Sequence, residues 1–179
     1  IQPVIYNLST LEKVQNHNIS IHLEFDTGMH RLGFEKNNLD QILAIINSKP
    51  NINVVSIFSH LAGADNPSLD KHTHKQINDF NGICLEFEEK SKLKPLKHLA
   101  NSAGIERFQE AKMNMVRLGI GLYGISPSQV NTRLLPVSSF KSYISQIRNI
   151  PAGEGVGYGY MEKADYPRKI AVVAVGYAD

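Results

Sequence analysis

The sequence predicts an α/β domain built on parallel strands, followed by the beginning of an all-β domain. Up to Ile125, short apolar or β-branched runs alternate with stretches of helical periodicity. This alternation indicates parallel strands joined by crossover helices. From Leu134 onward, Gly and Pro residues separate short β-rich runs, a pattern that is typical of β-hairpins.

Four runs are expected to be strands, because each is apolar or β-branched and is followed by polar residues or glycine. They are residues 20–25, 54–59, 97–100 and 113–118. Apolar residues at helical spacing predict two helices between them, marked by Leu39, Ile42, Leu43 and Ile46 and by Ile77, Phe80, Cys84 and Phe87. Helix starts are indicated by a capping-box pattern at Ser9 and Glu12 and by Asn38 as an N-cap.

Two topologies fit the alternating part, an open doubly wound sheet and a (β/α)8 barrel. A complete barrel needs about 250 residues, whereas this chain has 179, so only part of a barrel is expected. After Pro127 the expected strands are residues 142–150 and 170–175. We therefore place a domain boundary near Thr132, with an α/β domain over 1–132 and the start of a β domain over 133–179.

Composition assigns the chain to the soluble globular class. Charged residues make up 20% of it and hydrophobic residues 42%, which excludes disordered and collagen-like proteins. The formal net charge of +2 predicts no nucleic-acid partner. No apolar run reaches the roughly 18 residues of a membrane span, and no signal-peptide pattern is visible at the start. Cys84 is the single cysteine, which fits a reducing compartment, and we expect a cytoplasmic location.

The two ends predict that the chain is an excerpt of a longer polypeptide. It begins at Ile1 without an initiator Met and stops at Asp179, soon after an apolar run.

Polar residues or glycine follow each predicted strand, where the working residues of α/β domains lie. The first strand is followed by residues 26–33, the second by His60, the third by Asn101 and Ser102, and the fourth by a Gly-rich turn at Gly119. Asn-Ser pairs and Gly-rich turns expose hydroxyl and N–H donors that can hold a phosphate. A phosphate-bearing small molecule is therefore a plausible ligand.

Structural roles compete with these functional ones. Taken singly, Arg31 and Arg117 are more often surface or rim cations, and His60 is more often a core or rim histidine, than catalytic groups. The Asp-x-His-x-His segment at 70–74 suggests a metal site, but a spacing of two on a helix puts the side chains on different faces. We predict no metal.

Six motifs together resemble bacterial alanine racemases. They are DTGMHRLGF at 26–34, SHLAGAD at 59–65, NSAG at 101–104, VRLGIGLYGISP at 116–127, GEGVGYGY at 153–160 and VGYAD at 175–179. They have the family's order and similar spacings, and they span almost the whole chain. The resemblance implies a fold-type III enzyme that uses pyridoxal 5′-phosphate (PLP). It also implies an N-terminal (β/α)8 barrel, a C-terminal β domain and a head-to-tail homodimer with shared active sites.

The resemblance implies cofactor-binding roles for six residues. They are His60, Asn101, Ser102, Arg117, Gly119 and Ile120. Arg117 resembles the arginine that faces the pyridine nitrogen of PLP. Because a guanidinium stays protonated and only donates, that nitrogen would remain unprotonated, which disfavours side reactions such as transamination. His60 resembles the histidine that supports this arginine, and the other four resemble the turns that hold the phosphate.

Three further residues resemble substrate-handling groups. Arg31 is similar to the arginine beside the phenolic oxygen of PLP and the substrate carboxylate, where a planar donor fork is suitable. Tyr158 resembles the catalytic tyrosine, an acid or base on one face of the substrate that serves the neighbouring subunit's site. Tyr177 resembles a second tyrosine near the substrate entrance. The reaction implied is the interconversion of L- and D-alanine, which supplies D-alanine for peptidoglycan.

Two departures from the family pattern carry their own expectations. The PLP-bound lysine normally lies upstream in a Lys-Ala motif, and Lys163-Ala164 has the wrong context, so this chain alone is expected to be inactive. Glu24 stands where many relatives have a lysine that becomes carbamylated, and we hypothesise that its carboxylate substitutes for the carbamate.

Other functions remain open on the sequence. A non-catalytic PLP-carrier barrel is one, although that class lacks the β domain and the tyrosine that residues 134–179 and Tyr158 resemble. A racemase domain fused to a cell-wall ligase and a serine racemase are the others.

Overall fold

A computed structural model describes residues 1–130 and 133–177. The chain divides into two compact units, Ile1–Val137 and Ser138–Asp179. The boundary predicted near Thr132 falls at a residue outside those described. In the described ranges no helix is long and apolar enough to cross a membrane.

The first unit contains one parallel four-stranded sheet. Its strands are β1 (Val4–Ile5), β2 (Ile19–Glu24), β3 (Ile52–Phe58) and β4 (Leu96–His98), in the spatial order β1-β2-β3-β4. A doubly wound sheet reverses its strand order, whereas a barrel adds each strand beside the previous one. The sequential order therefore confirms the predicted α/β fold and favours part of a barrel over a doubly wound sheet.

Within residues 1–130, four α-helices connect and flank these strands. They are α1 (Leu8–Val14), α2 (Leu39–Ser48), α3 (Asp70–Ser91) and α4 (Ser102–Arg107). The apolar stripes predicted for α2 and α3 are both buried, which confirms these two helices. The predicted capping box at Ser9 and Glu12 is wrong, because Asn7 is the N-cap of α1 and accepts from the Thr10 N–H at 2.8 Å. Asn38 precedes α2, but its side chain accepts from the Glu35 N–H instead of capping the helix.

The core of this unit lies between the sheet and the helices. Phe25, Phe34, Phe80 and Phe87 are fully or almost fully buried there. Burying one such side chain stabilises the fold by about 1.5–3 kcal/mol. This packing gives the carboxyl edge of the sheet a rigid base.

The prediction of a fourth strand over residues 113–118 is wrong. Only one bridge forms there, between His98 and Met115. Met113 has a φ of 49°, which interrupts the extended backbone that a strand requires. The segment nevertheless stays beside β4, because the Arg117 N–H donates to the Ala100 carbonyl at 3.0 Å. A short 3-10 helix, Ile120–Tyr123, follows it.

The second unit is an antiparallel β structure. Strand β5 (Ile144–Ile150) pairs with β8 (Arg168–Val173), and β6 (Gly155–Val156) pairs with β7 (Glu162–Lys163). These pairs confirm the hairpin-rich pattern predicted for this region. Between β6 and β7 the chain turns at Tyr158–Tyr160, where Gly159 and Tyr160 have positive φ values of 72° and 50°.

Candidate functional site

A cavity of about 560 Å³ opens beyond the carboxyl ends of β3 and β4. Its wall contains all six residues that the sequence analysis selected for cofactor binding, namely His60, Asn101, Ser102, Arg117, Gly119 and Ile120. Leu61, Leu118 and Pro127 add apolar surface to the lining, and Asp65 adds a carboxylate. Three separate loops therefore bring the predicted residues to one place.

Arg117 is held by acceptors on both terminal nitrogens of its guanidinium. Nη2 donates to the Ser59 carbonyl at 2.6 Å and to the Leu99 carbonyl at 3.3 Å, and it lies 3.4 Å from Nδ1 of His60. Nη1 contacts Nδ1 of His98 and lies 3.3 Å from the carbonyl oxygen of the same residue. No hydrogen bond from the Nε–H group is found within the described residues.

The surroundings of Arg117 mix burial with charge. The guanidinium carbon lies 5.0 Å from the centre of the Phe58 ring, a cation–π contact. Burial lowers the pKa of Arg117, and the negative charge of Glu24 opposes that effect. A guanidinium remains charged at physiological pH in any protein setting.

Both histidines beside Arg117 are disposed to be neutral. Burial lowers the pKa of His60, and the positive charges of Arg117 and then Arg31 lower it further. Burial and the charge of Arg117 lower the pKa of His98 to about 4. Each neutral imidazole has one nitrogen that can accept from the guanidinium.

Ser102 and the glycine turn form a group of small polar donors. The Ser102 Oγ atom accepts from the Gly119 N–H at 2.9 Å and from the Gly121 N–H at 3.1 Å. A Cβ atom at Gly121 would lie 2.8 Å from a Leu118 methyl carbon and 3.4 Å from the Ser102 Oγ atom, so a side chain there would displace the end of Leu118. Hydroxyl and backbone N–H groups next to a half-buried arginine are the donor types of a phosphate site.

Asn101 fixes the start of this loop. Its side-chain oxygen accepts from the Gly104 N–H at 3.0 Å, and its amide nitrogen donates to the Leu61 carbonyl at 3.1 Å. Asn101 therefore ties the loop after β4 to the loop after β3, and both loops line the cavity.

Arg31 lies outside the lining of this cavity, and its side chain is exposed. A turn precedes it, in which Asp26 accepts from the N–H groups of Gly28, Met29 and His30 at 2.8–3.1 Å. Although burial acts in the opposite direction, these hydrogen bonds lower the pKa of Asp26.

Glu24 is only 8% exposed, at the end of β2. Burial raises its pKa, while the charges of Arg31 and then Arg117 lower it. Within the described residues, Glu24 makes no ion pair with Arg31 at 4 Å or less. The hypothesised pairing is therefore an electrostatic influence in this structure and not a direct contact.

Tyr158 and Tyr177 belong to the second unit. Both side chains are fully exposed, at 103% and 113%. Neither lines the cavity of the first unit.

Two contributors to the site escaped the sequence analysis. His98 contacts Arg117 directly, and its signal was a histidine placed at a buried strand position. Glu106 accepts from the Ser126 hydroxyl at 2.9 Å and from the Ser128 hydroxyl, and so fixes the loop that carries Pro127. Among the described residues no three His, Cys, Asp or Glu side chains form a group that could hold a metal ion. In the 70–74 segment, His74 instead pairs with Glu110 at 3.3 Å.

Comparisons with known proteins agree on one family. Residues 1–127 match the family model of the alanine racemase N-terminal domain, and residues 137–179 match that of the C-terminal domain. Alanine racemase 1 of Oceanobacillus iheyensis is 34% identical and covers 98% of this chain, and the alanine racemase of Methanococcus maripaludis is 37% identical over 94% of it. The chain spans 49% and 46% of these two proteins, about half their length.

Solved structures are similar across the same span. Biosynthetic alanine racemase from Pseudomonas aeruginosa superposes with a TM-score of 0.79 at 32% identity, over 98% of this chain and 49% of that one. Alanine racemase from Bartonella henselae, determined with covalently bound pyridoxal phosphate, has a TM-score of 0.75 at 28% identity, over 100% and 50% of the two chains.

Proposed function

This chain belongs to the alanine racemase family, and from that premise we propose that it is part of a PLP-dependent enzyme that interconverts L- and D-alanine. Its fold is part of a (β/α)8 barrel followed by the start of a β domain. In this proposal residues 1–132 supply the later part of the barrel and residues 133–179 the start of the β domain. The product D-alanine would serve peptidoglycan synthesis in the cytoplasm. The observation that carries the proposal is the cavity in which all six predicted cofactor residues meet.

The residues of this cavity fit PLP. Arg117 lines the cavity with its Nη groups held by protein acceptors, and its Nε–H, which makes no hydrogen bond within the described residues, would donate to the ring nitrogen of PLP. Ser102 and the N–H groups of Gly119 and Ile120 would hold the phosphate, and Asn101 would shape the same turn. When bound, PLP supplies an electron sink that acidifies the α-C–H bond of an amino acid.

Arg117 and His60 would set the strength of that electron sink. A guanidinium donates a hydrogen bond without releasing its proton, so the ring nitrogen would stay unprotonated. This restrains the sink and disfavours transamination. His60, 3.4 Å from Nη2 of Arg117, would help to orient the guanidinium.

The substrate would be handled by Arg31 and the two tyrosines. Arg31 would bind the carboxylate of alanine through its planar donor fork. Tyr158 would move a proton on one face of the α-carbon, and Tyr177 would border the substrate entrance. Their full exposure is consistent with a head-to-tail homodimer in which the β domain of one subunit completes the site of its partner.

The non-catalytic PLP-carrier alternative is disfavoured by the β unit, because that class is a barrel without such a domain. The remaining alternatives are a serine racemase, which differs in its substrate, and a racemase domain fused to a cell-wall ligase. The test is to incubate the enzyme containing this chain with L-alanine and, separately, L-serine, and to measure each D-isomer by chiral chromatography. We expect D-alanine to form in preference to D-serine and only with PLP. D-serine as the main product, or no racemisation of either, would contradict the proposal.

We also propose that the 179-residue chain alone neither racemises alanine nor bonds covalently to PLP. A covalent bond needs a lysine placed at the site, and no lysine here matches the family's motif. Borohydride reduction in the presence of PLP, followed by peptide mass mapping, checks this. One stoichiometric pyridoxyl-lysine would overturn it.

A further inference from the structure

A series of hydrogen bonds runs from Arg117 across three neighbouring strands of the first unit. Arg117 contacts Nδ1 of His98 on β4, and Nε2 of His98 lies 2.9 Å from Oγ of Ser56 on β3. Ser56 Oγ lies 2.7 Å from Nδ1 of His22 on β2, and Nε2 of His22 lies 3.1 Å from Oε1 of Gln2. We refer to His98, Ser56 and His22 as the histidine–serine series.

The chemistry of Arg117 fixes the tautomer of His98. A guanidinium has only donors, so Nδ1 of His98 must accept. A neutral imidazole that accepts at Nδ1 carries its proton on Nε2. His98 therefore donates from Nε2 to the Ser56 hydroxyl.

The burial of Ser56 fixes the donor and the acceptor of the next hydrogen bond, which joins Ser56 on β3 to His22 on β2. Ser56 has no exposed surface, and its Oγ atom already accepts from His98. Its own proton needs an acceptor, and within the described residues Nδ1 of His22 is the remaining partner. If both histidines donated to Ser56, a buried hydroxyl proton would be left unsatisfied, which is unfavourable. His22 consequently carries its proton on Nε2 and donates to Gln2.

Packing holds the His98 ring in the orientation that these bonds require. Phe58 stacks on His98, and the centre of the Phe58 ring lies 5.0 Å from the guanidinium carbon of Arg117. The side chain of His98 is only 4% exposed. A rotated ring would lose both the stack and the two hydrogen bonds.

We propose that His98 is a positioning residue for Arg117, and that Ser56 and His22 fix the tautomer in which His98 can accept from the guanidinium. With both terminal nitrogens held, the Nε–H of Arg117 makes no hydrogen bond within the described residues, and Arg117 lines the cavity. The role of this Nε–H toward PLP rests on the proposed function. The tautomers of the histidine–serine series do not depend on it.

Histidine tautomers can be read directly in the unaltered protein by long-range ¹H–¹⁵N NMR with ¹⁵N-labelled histidine. From these hydrogen bonds we expect Nδ1 of both His98 and His22 to be unprotonated and Nε2 of both to carry the proton. A proton on Nδ1 of either residue, or an imidazolium at His98, would overturn the series.

Matched variants test the positioning role. His98→Gln keeps one acceptor and one donor, whereas His98→Leu has neither, and His74→Gln is a control on the surface of α3. We expect His98→Leu to weaken PLP binding by roughly 10-fold or more, as for loss of a hydrogen bond to a charged group, and to shift the absorbance of bound PLP. His98→Gln should recover most of the affinity and the spectrum. Equal losses in the Gln and Leu variants, or none in either, would overturn the role.

The two experiments fail independently. Expected tautomers in a protein that binds no PLP and racemises no alanine would defeat the proposed function and leave the series standing. Other tautomers in an active racemase would defeat the series alone.

Discussion

Phe58 and His98 stack face to face, with ring centroids 4.8 Å apart and ring planes 8° from parallel. The stack shields the imidazole from water beside a permanent cation, Arg117. Burial and that charge lower the pKa of His98 to about 4, from its ordinary value of 6.5. His98 is therefore neutral in the folded protein at pH values at which it would be protonated in the unfolded chain.

We expect the protein to lose stability as the pH falls from 6.5 to about 4. In this window the unfolded chain has His98 protonated and the folded chain does not, so protons favour unfolding. The contribution of neutral His98 to the free energy of unfolding is fully present above pH 6.5. Its loss at lower pH reaches at most about 3 kcal/mol. Urea unfolding at pH 7 and pH 4.5 measures it. His98→Gln should flatten the decline, and an equally steep decline in this variant would show that other groups cause it.

Ser102→Ala should weaken the binding of PLP by about 10-fold, because it removes a hydroxyl from the cavity and the acceptor shared by Gly119 and Gly121. Titration of the cofactor-free protein with PLP, followed by absorbance, gives the dissociation constant. Ser48→Ala is a suitable control, since that hydroxyl donates within α2 to the Ile45 carbonyl. Similar affinities for the two variants would argue against a phosphate site at Ser102.

Glu24 should make the enzyme indifferent to bicarbonate, because it offers a carboxylate without carbamylation. Glu24→Gln removes the negative charge that acts on Arg31 without direct contact, so we expect weaker positioning of Arg31 and a rise of several-fold in the KM for alanine. Glu24→Lys should make activity depend on bicarbonate. Steady-state kinetics with and without bicarbonate test both variants, and unchanged kinetics would mean that Glu24 is simply a buried strand residue.

The site could be anticipated from the sequence where local patterns carry the information. The helix that contains Ile42 and Ile46 was predictable because its apolar spacing is local. His60, Asn101 and Ser102 were identifiable because they follow predicted strands. Their convergence on one cavity follows from parallel strands, whose carboxyl ends share one edge of the sheet.

Long-range contacts and unusual backbone conformations were not predictable in the same way. The residues around Met113 do not predict its positive φ, so the sequence pattern of residues 113–118 indicates a strand. The importance of His98 depends on partners from other strands, with Ser56 lying 42 residues away in sequence. Tyr158 was selected only through the family resemblance, because an exposed tyrosine in a glycine-rich turn has no chemical signature of its own.

The central claim is best tested by α-proton exchange in the Tyr158→Phe variant of the enzyme that contains this chain. Racemisation needs one group on each face of a planar carbon, and we assign Tyr158 to the face from which L-alanine loses its proton. Deuterium incorporation in deuterated water, followed by NMR, should fall by about 100-fold to 10,000-fold for L-alanine, the usual range for removing a general acid or base. Incorporation into D-alanine, which begins at the opposite group, should persist at a much higher rate. Equal residual exchange from both enantiomers would contradict the account.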